Sequence, residues 1–168
     1  KYKNDYQPCL TPDSTMLGAE QWTWLEEQLK KPARLRIIAS SNQFSHEYNG
    51  WESWTNLPYE QQKMLDLIKS TKANGVIFLS GDVHWGELSK MQVDGLYPIY
   101  DVTSSGITQT WDEPEPNKNR IGKVFMGNNY GLIEINWNMP DPELNISIKD
   151  RKGKRRVSHQ LKLGELQF

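Results

Sequence analysis

The sequence predicts an α/β unit that runs on into antiparallel β-structure, an α/β (α+β) class, and three observations carry that expectation. Helix-period apolar spacing occurs twice in the first half, at residues 19–30 and 59–71, and a short apolar run follows each time. The second run, Val76, Ile77, Phe78 and Leu79, is apolar at four successive positions, as in a strand covered on both faces. From Leu88 onward the period changes to two, between turn-forming residues. Such a pattern suits packed sheets with helices outside them.

Taken in order, residues 1–15 are a polar opening that reads as the middle of a longer chain. The first helix places Trp22, Leu25 and Leu29 on one face, with Glu20 in its first turn, and Pro32 stops it. A strand is predicted at 35–39, ending in Ser40, Ser41, Asn42 and Gln43. The loop at 44–57 carries His46, Tyr48, Trp51 and Trp54. Pro58 suits the start of the second helix, whose buried side is Met64, Leu65 and Ile68, and Asn74-Gly75 suits its end. Two strands joined through a helix lie parallel, so their carboxyl ends share one sheet edge. That geometry makes Asn42, Gln43 and His46 expected neighbours of Asp82 and His84. In the second half, Asp94-Gly95 predicts a two-residue hairpin between strands at 88–93 and 96–103, and Pro98 marks the latter as an edge strand or an irregular start. After a loop at 107–120, a short strand is expected at 121–126, and alternating runs at 130–137, 144–148 and 157–163 predict a meander.

The chain has 168 residues, enough for one domain with a substantial core. It is read either as a single domain, 1–168, or as part of one, with 1–106 the α/β portion and 107–168 mainly antiparallel β. A net charge of −1 gives no broad basic surface for nucleic acid. No apolar run approaches the roughly 20 residues of a membrane span. Cys9 is the only cysteine, which rules out an internal disulfide. The basic residues Lys149, Arg151, Lys152, Lys154, Arg155 and Arg156 read as a solvated hairpin tip, and His159 as structural. Asn145-Ile146-Ser147 matches a glycosylation pattern but falls in a predicted strand.

Chemistry concentrates where the Val76–Leu79 run stops. Gly81 lets the backbone turn, and Asp82 and His84 then offer an oxygen and an imidazole nitrogen at a strand end, where ligands of open α/β sheets collect. The pair suits Zn, Mn, Fe or Ca without choosing among them, and on residue type alone it also suits a hydrogen-bonded turn.

Ser80-Gly81-Asp82-Val83-His84 resembles a signature of the PhoD-like (alkaline phosphatase D) branch of the calcineurin-like metallophosphoesterases. Three further stretches match in order: Leu17-Gly18-x-x-Gln21-x-x-Trp24-Leu25; Asn49-Gly50-Trp51-Glu52-Ser53-Trp54 followed by Pro58, Tyr59, Glu60 and Gln61; and Ser104-Ser105-Gly106. The resemblance implies a four-layer α/β/β/α sandwich, of which this chain supplies roughly the carboxyl-terminal half. It implies hydrolysis of phosphate mono- or diesters by a metal-activated hydroxide at a dinuclear or larger site, and extracytoplasmic placement. Asp82 and His84 then serve as catalytic metal ligands, with Asn42 as a further ligand and Gln43 and Trp51 as substrate contacts. His46 and Trp54 are also placed along the cleft. The family's earlier metal motifs, a Gly-Asp and a D-D-H-D-type cluster, have no match here, since only Asp5 and Asp13 precede the first helix as carboxylates. The expected partners are therefore a phosphate ester and a missing amino-terminal half, and the chain is expected to be inactive alone. The rival reading is a non-catalytic, aromatic-rich module for carbohydrate or a protein partner, drawing on seven Trp and seven Tyr, in which Asp82 and His84 merely tie a turn.

Overall fold

A computed structural model describes residues 6–47 and 50–168. Asp5, Tyr48 and Asn49 lie outside the described residues. Helix α1 (Gly18–Leu29) buries Trp22, Leu25 and Leu29, the face read from the sequence. Strand β1 (Arg36–Ala39) leads through the aromatic loop to α2 (Pro58–Ser70), which has proline in its first turn and buries Met64, Leu65 and Ile68. Strand β2 (Val76–Ser80) then pairs parallel to β1, as the crossover requires. Four strands follow, β3 (Gly86–Met91), β4 (Ile99–Ser104), β5 (Arg120–Phe125) and β6 (Asn129–Asn136), and then β7 (Glu143–Asp150) and β8 (Arg155–Lys162).

Five strands form one mixed sheet in the order β1-β2-β4-β3-β5, and β6-β7-β8 form an antiparallel meander. Register decides which side chains share a face. Ile77 stands opposite Tyr100 and Leu79 opposite Val102, and Leu88 is opposite Val102 on the other side. These residues meet Leu144, Ile146, Ile148, Val157 and Leu161 of the second sheet in a single core. On the opposite face Ile38 and Phe78 are paired, and Phe78 stacks on Phe44 with ring centroids 3.9 Å apart. The helices cover that face, giving α, β and β layers of the expected sandwich. The carboxyl-terminal residues Leu163 and Leu166 are fully buried, and Gly75 N–H donates to Leu166 O (2.7 Å). Both halves of the sequence therefore share one core.

Glu60, 4% exposed, fastens the two helices together. Its carboxylate accepts from Trp22 Nε1 (2.8 Å), Leu17 N (3.3 Å), the Thr15 hydroxyl and Met16 N. Burial pushes its carboxyl up, and these donors more than offset that, leaving it below its ordinary value.

Two expectations need correction. Asp94-Gly95 does form a turn, with Leu96 N–H donating to Val93 O (3.1 Å), but strand pairing stops at Met91 and Ile99. Tyr97 breaks the hairpin, because its buried hydroxyl accepts from Val76 N and donates to Ala73 O, while Pro98 has no N–H to offer. Strand β4 is therefore central, not an edge, although it does begin only after Pro98. The edge strands are β1 and β5 in the first sheet and β6 and β8 in the second. Between β1 and β6 lies an apolar groove of about 520 Å³, lined by residues that include Leu35, Ile37, Leu79, Ile133 and Ile135.

Candidate functional site

Strand β2 ends at Ser80, and the chain turns back at once to begin β3 at Gly86. This five-residue reversal is held from both sides: Gly81 N–H donates to Ser41 O (3.2 Å), and His84 N–H to Ser105 Oγ (2.9 Å). Asp82 and His84 both take left-handed backbone conformations, at φ 72° and 60°. Such strain at side chains other than glycine persists where the surroundings enforce it, and it clusters at functional sites. At Gly106, just past Ser105, an added Cβ would lie 2.2 Å from Asn129 Nδ2 and 3.0 Å from Gly127 O, so a larger residue would displace the buried Asn129 amide.

Asp82, His84, Trp51, Glu52, Val83, Trp85 and Trp111 line a pocket of about 160 Å³. Partial burial pushes the Asp82 carboxyl above its ordinary value, and the neighbouring Glu52 carboxylate adds to the shift. Among the described residues no hydrogen bond or ion pair engages the Asp82 carboxylate, so it does not tie the turn it sits in. Glu52 accepts a hydrogen bond from Tyr6 Oη (2.6 Å). Trp111 donates from Nε1 to His84 Nδ1 (2.7 Å) and meets Trp51 edge to face at 5.6 Å. The pocket thus joins an acidic floor to aromatic walls.

The donor types suit a divalent cation: hard carboxylate oxygens with one imidazole, in a pocket whose lining, among the described residues, includes no lysine or arginine. Their number does not complete a site, and among the described residues no group of three or more His, Cys, Asp or Glu side chains is disposed to hold a metal. Asp82 and His84 therefore offer two donors of metal-ligating type side by side, short of a complete set.

The other residues expected here are not brought to the pocket. Gln43 is 1% exposed and donates from Nε2 to Glu87 Oε1 (2.7 Å) and Thr103 Oγ1 (2.9 Å), which removes it as a substrate contact in this structure. Asn42 accepts the Ser41 hydroxyl (2.9 Å) and does not line the pocket, so it joins no metal site here. Trp54 is buried against Phe44, with Nε1 donating to Ser40 Oγ (2.9 Å). The chain after β1 turns beneath the sheet because Asp101, itself buried, accepts from Phe44 N (2.7 Å) and Ser45 N (3.0 Å).

His46 is carried under the sheet with that loop and is 1% exposed. Its Nε2 lies 3.1 Å from Glu115 Oε2 and its Nδ1 3.6 Å from Glu87 Oε1, while Arg120 Nε lies 2.5 Å from Glu87 Oε2. A carboxylate facing each ring nitrogen favours the protonated imidazole. Burial alone would lower His46, but the two glutamates reverse that and hold it above its ordinary value. Burial likewise raises Glu87, and His46 and Arg120 overcome it, setting Glu87 at about 2. His46 then stabilises the fold fully below its ordinary 6.5, and that contribution disappears as pH rises through its higher folded value. Glu87 stabilises fully above its ordinary 4.5, and its contribution fades as pH falls toward about 2. Thermal unfolding across pH should therefore show a stability loss on the alkaline side that His46→Gln removes. An unchanged alkaline slope in that variant would contradict the clamp.

Comparison with known proteins places these observations. A family model described as PhoD-like phosphatase matches residues 1–132. Alkaline phosphatase D of Bacillus subtilis (strain 168) is 30% identical over 105 residues, which is 57% of this chain and 17% of that protein. The solved structure of PhoD superposes with a TM-score of 0.69 at 20% identity, covering 90% of this chain and 33% of that one. Purple acid phosphatase PPD1 from yellow lupin (Lupinus luteus) seeds has the same fold with a TM-score of 0.56 at 15% identity, covering 86% of this chain and 28% of its own. The chain spans a third or less of the length of each of these relatives.

Proposed function

Because this chain belongs to the PhoD-like phosphatase family, we propose that it takes part in hydrolysis of phosphate mono- or diesters, supplying one face of a metal-dependent site. The observation that carries the proposal is the pair of left-handed residues, Asp82 and His84, at the end of β2. Together with Glu52 they face a small pocket whose lining, among the described residues, includes no lysine or arginine. Asp82 and His84 would hold the metal. A bound cation would bring the pKa of a water toward neutrality and supply positive charge to the phosphoryl oxygens.

The chain's own residues do the rest of its share. Ser105 fixes the backbone of His84, and Trp111 orients its imidazole through Nδ1. Trp51 and Trp111 exclude water from one side of the pocket and offer flat surfaces to the organic part of an ester. The open edges of β1 and β6, with the apolar groove between them, suit the packing of further strands of a longer protein, which would bring the remaining ligands.

The test is direct. The purified 168-residue chain should hydrolyse neither a phosphate monoester nor a diester above the blank rate with added Mn²⁺ or Zn²⁺. Turnover that a chelator abolishes would overturn the incomplete site. An absence of cation binding, with Asp82→Ala and His84→Ala altering only stability, would favour the binding-module reading instead.

A further inference from the structure

The turn between β7 and β8 gathers Lys149, Arg151, Lys152, Lys154, Arg155 and Arg156 around one acidic residue, Asp150, in a chain whose net charge is −1. Asp150 is spent inward. Its Oδ1 accepts from Lys152 N and Lys154 N (2.9 Å each) and its Oδ2 from Arg156 Nε (2.8 Å), and its carboxyl stays below its ordinary value. The turn is thereby rigid, while Arg151, Lys152, Lys154 and Arg155 point their charge into solvent.

Two separate contacts set this tip beside the candidate site. Asp150 pairs with Asn129, whose N–H donates to Gly106 O (3.0 Å), next to the Ser105 that holds His84. On the other side, the Arg156 guanidinium lies 5.1 Å over the Phe125 ring, and Phe125 pairs with Gly86, two residues after His84. One strand spacing is about 4.8 Å, so Asp150 lies roughly two spacings from Gly106, the neighbour of the Ser105 that holds His84. The residues joining tip to pocket, Asn128, Asn129, Tyr130 and Phe125, bring no carboxylate to neutralise it.

We propose that Arg151, Lys152, Lys154 and Arg155 form a polyanion-binding ridge at the rim of the site, which holds the flanking phosphates of a polyphosphorylated ester while one phosphate occupies the pocket. The pocket alone, with Glu52 and Asp82, repels an anion unless a cation fills it. The ridge is the adjoining surface that attracts one without a metal. A polymer or oligomer of phosphates spanning both would gain affinity from two anchored points, which a simple monoester lacks. The term substrate rests on the phosphoesterase reading above, whereas the ridge itself does not.

The experiment is binding of medium-length inorganic polyphosphate to the 168-residue chain in EDTA and low salt, followed by calorimetry and by amide shifts at residues 106–107 and 151–156. Binding should weaken steeply as salt shortens the screening length. The quadruple variant R151E/K152E/K154E/R155E should bind at least about tenfold more weakly, whereas the charge-matched K30E/K31E/K63E/K69E, just past α1 and on α2, should lose far less. Equal losses in the two variants, no polyphosphate binding, or equally tight binding of duplex DNA would overturn the ridge. Because EDTA removes any metal, a failed phosphoesterase reading leaves this result intact, and a failed ridge leaves metal binding at Asp82 and His84 untouched.

Discussion

Replacing Glu87 with alanine is expected to destabilise the chain by about 3–5 kcal/mol, among the largest single-site effects in the molecule. Glu87 is fully buried and accepts from Arg120 and Gln43, with His46 Nδ1 3.6 Å from its Oε1. Its removal leaves the fully buried His46 ring with Glu115 alone and the Arg120 Nε–H with no carboxylate. Glu87→Gln should recover part of the loss by keeping a donor–acceptor partner for Gln43 and Arg120. Denaturant titration near pH 6, where His46 and Glu87 both contribute, reads the effect. A loss below about 1 kcal/mol would mean that water reaches the network and screens it.

Asp82→Gly should act in the opposite direction on stability. The φ of 72° at Asp82 costs about 1–3 kcal/mol for a residue with a Cβ, and its carboxylate makes no hydrogen bond among the described residues that would be lost. Glycine relieves that strain, less about 0.5–1 kcal/mol of added chain entropy, so a net gain of about 1 kcal/mol is expected. In the longer protein the same substitution should lower hydrolysis by more than about a hundredfold, beyond the cost of losing an outer partner of a metal ligand. Greater stability together with lost function marks a residue retained for chemistry. If Asp82→Gly destabilised the fold, Asp82 would instead be part of the turn's scaffold.

The strand-end pocket is legible because its signals are local. An apolar run that stops at Ser80, a glycine, and two side chains of metal-ligating type two residues apart need no knowledge of the rest of the chain. Trp51 was legible in the same way, within a short motif. Asn42, Gln43 and His46 were not, although the parallel pairing of β1 and β2 that suggested them is correct. Their fate is decided by Asp101, some 55 residues away, whose buried carboxylate draws the Phe44 and Ser45 amides under the sheet. Glu87 alternates with Leu88, so period two assigns it to the opposite face. Only the tertiary fold shows that a loop buries that face too. Trp111 sits in a loop without periodicity, and its contact with His84 depends on closure across 27 residues. The hairpin at Asp94-Gly95 pairs less far than its sequence suggests because the pull on Tyr97 comes from Ala73 and Val76, outside the turn itself.

Asp82 and His84, with Glu52 beside them, are proposed to form one face of a metal site. Titration of the 168-residue chain with Mn²⁺, followed by paramagnetic broadening of its amide resonances, tests that most directly, since it reports location even where binding is weak. Broadening confined at low Mn²⁺ to Glu52, Asp82, Val83 and His84, and abolished by H84A, is the predicted result. Uniform broadening, or loss of signal centred on other carboxylates such as Glu134 or Glu143, would contradict it.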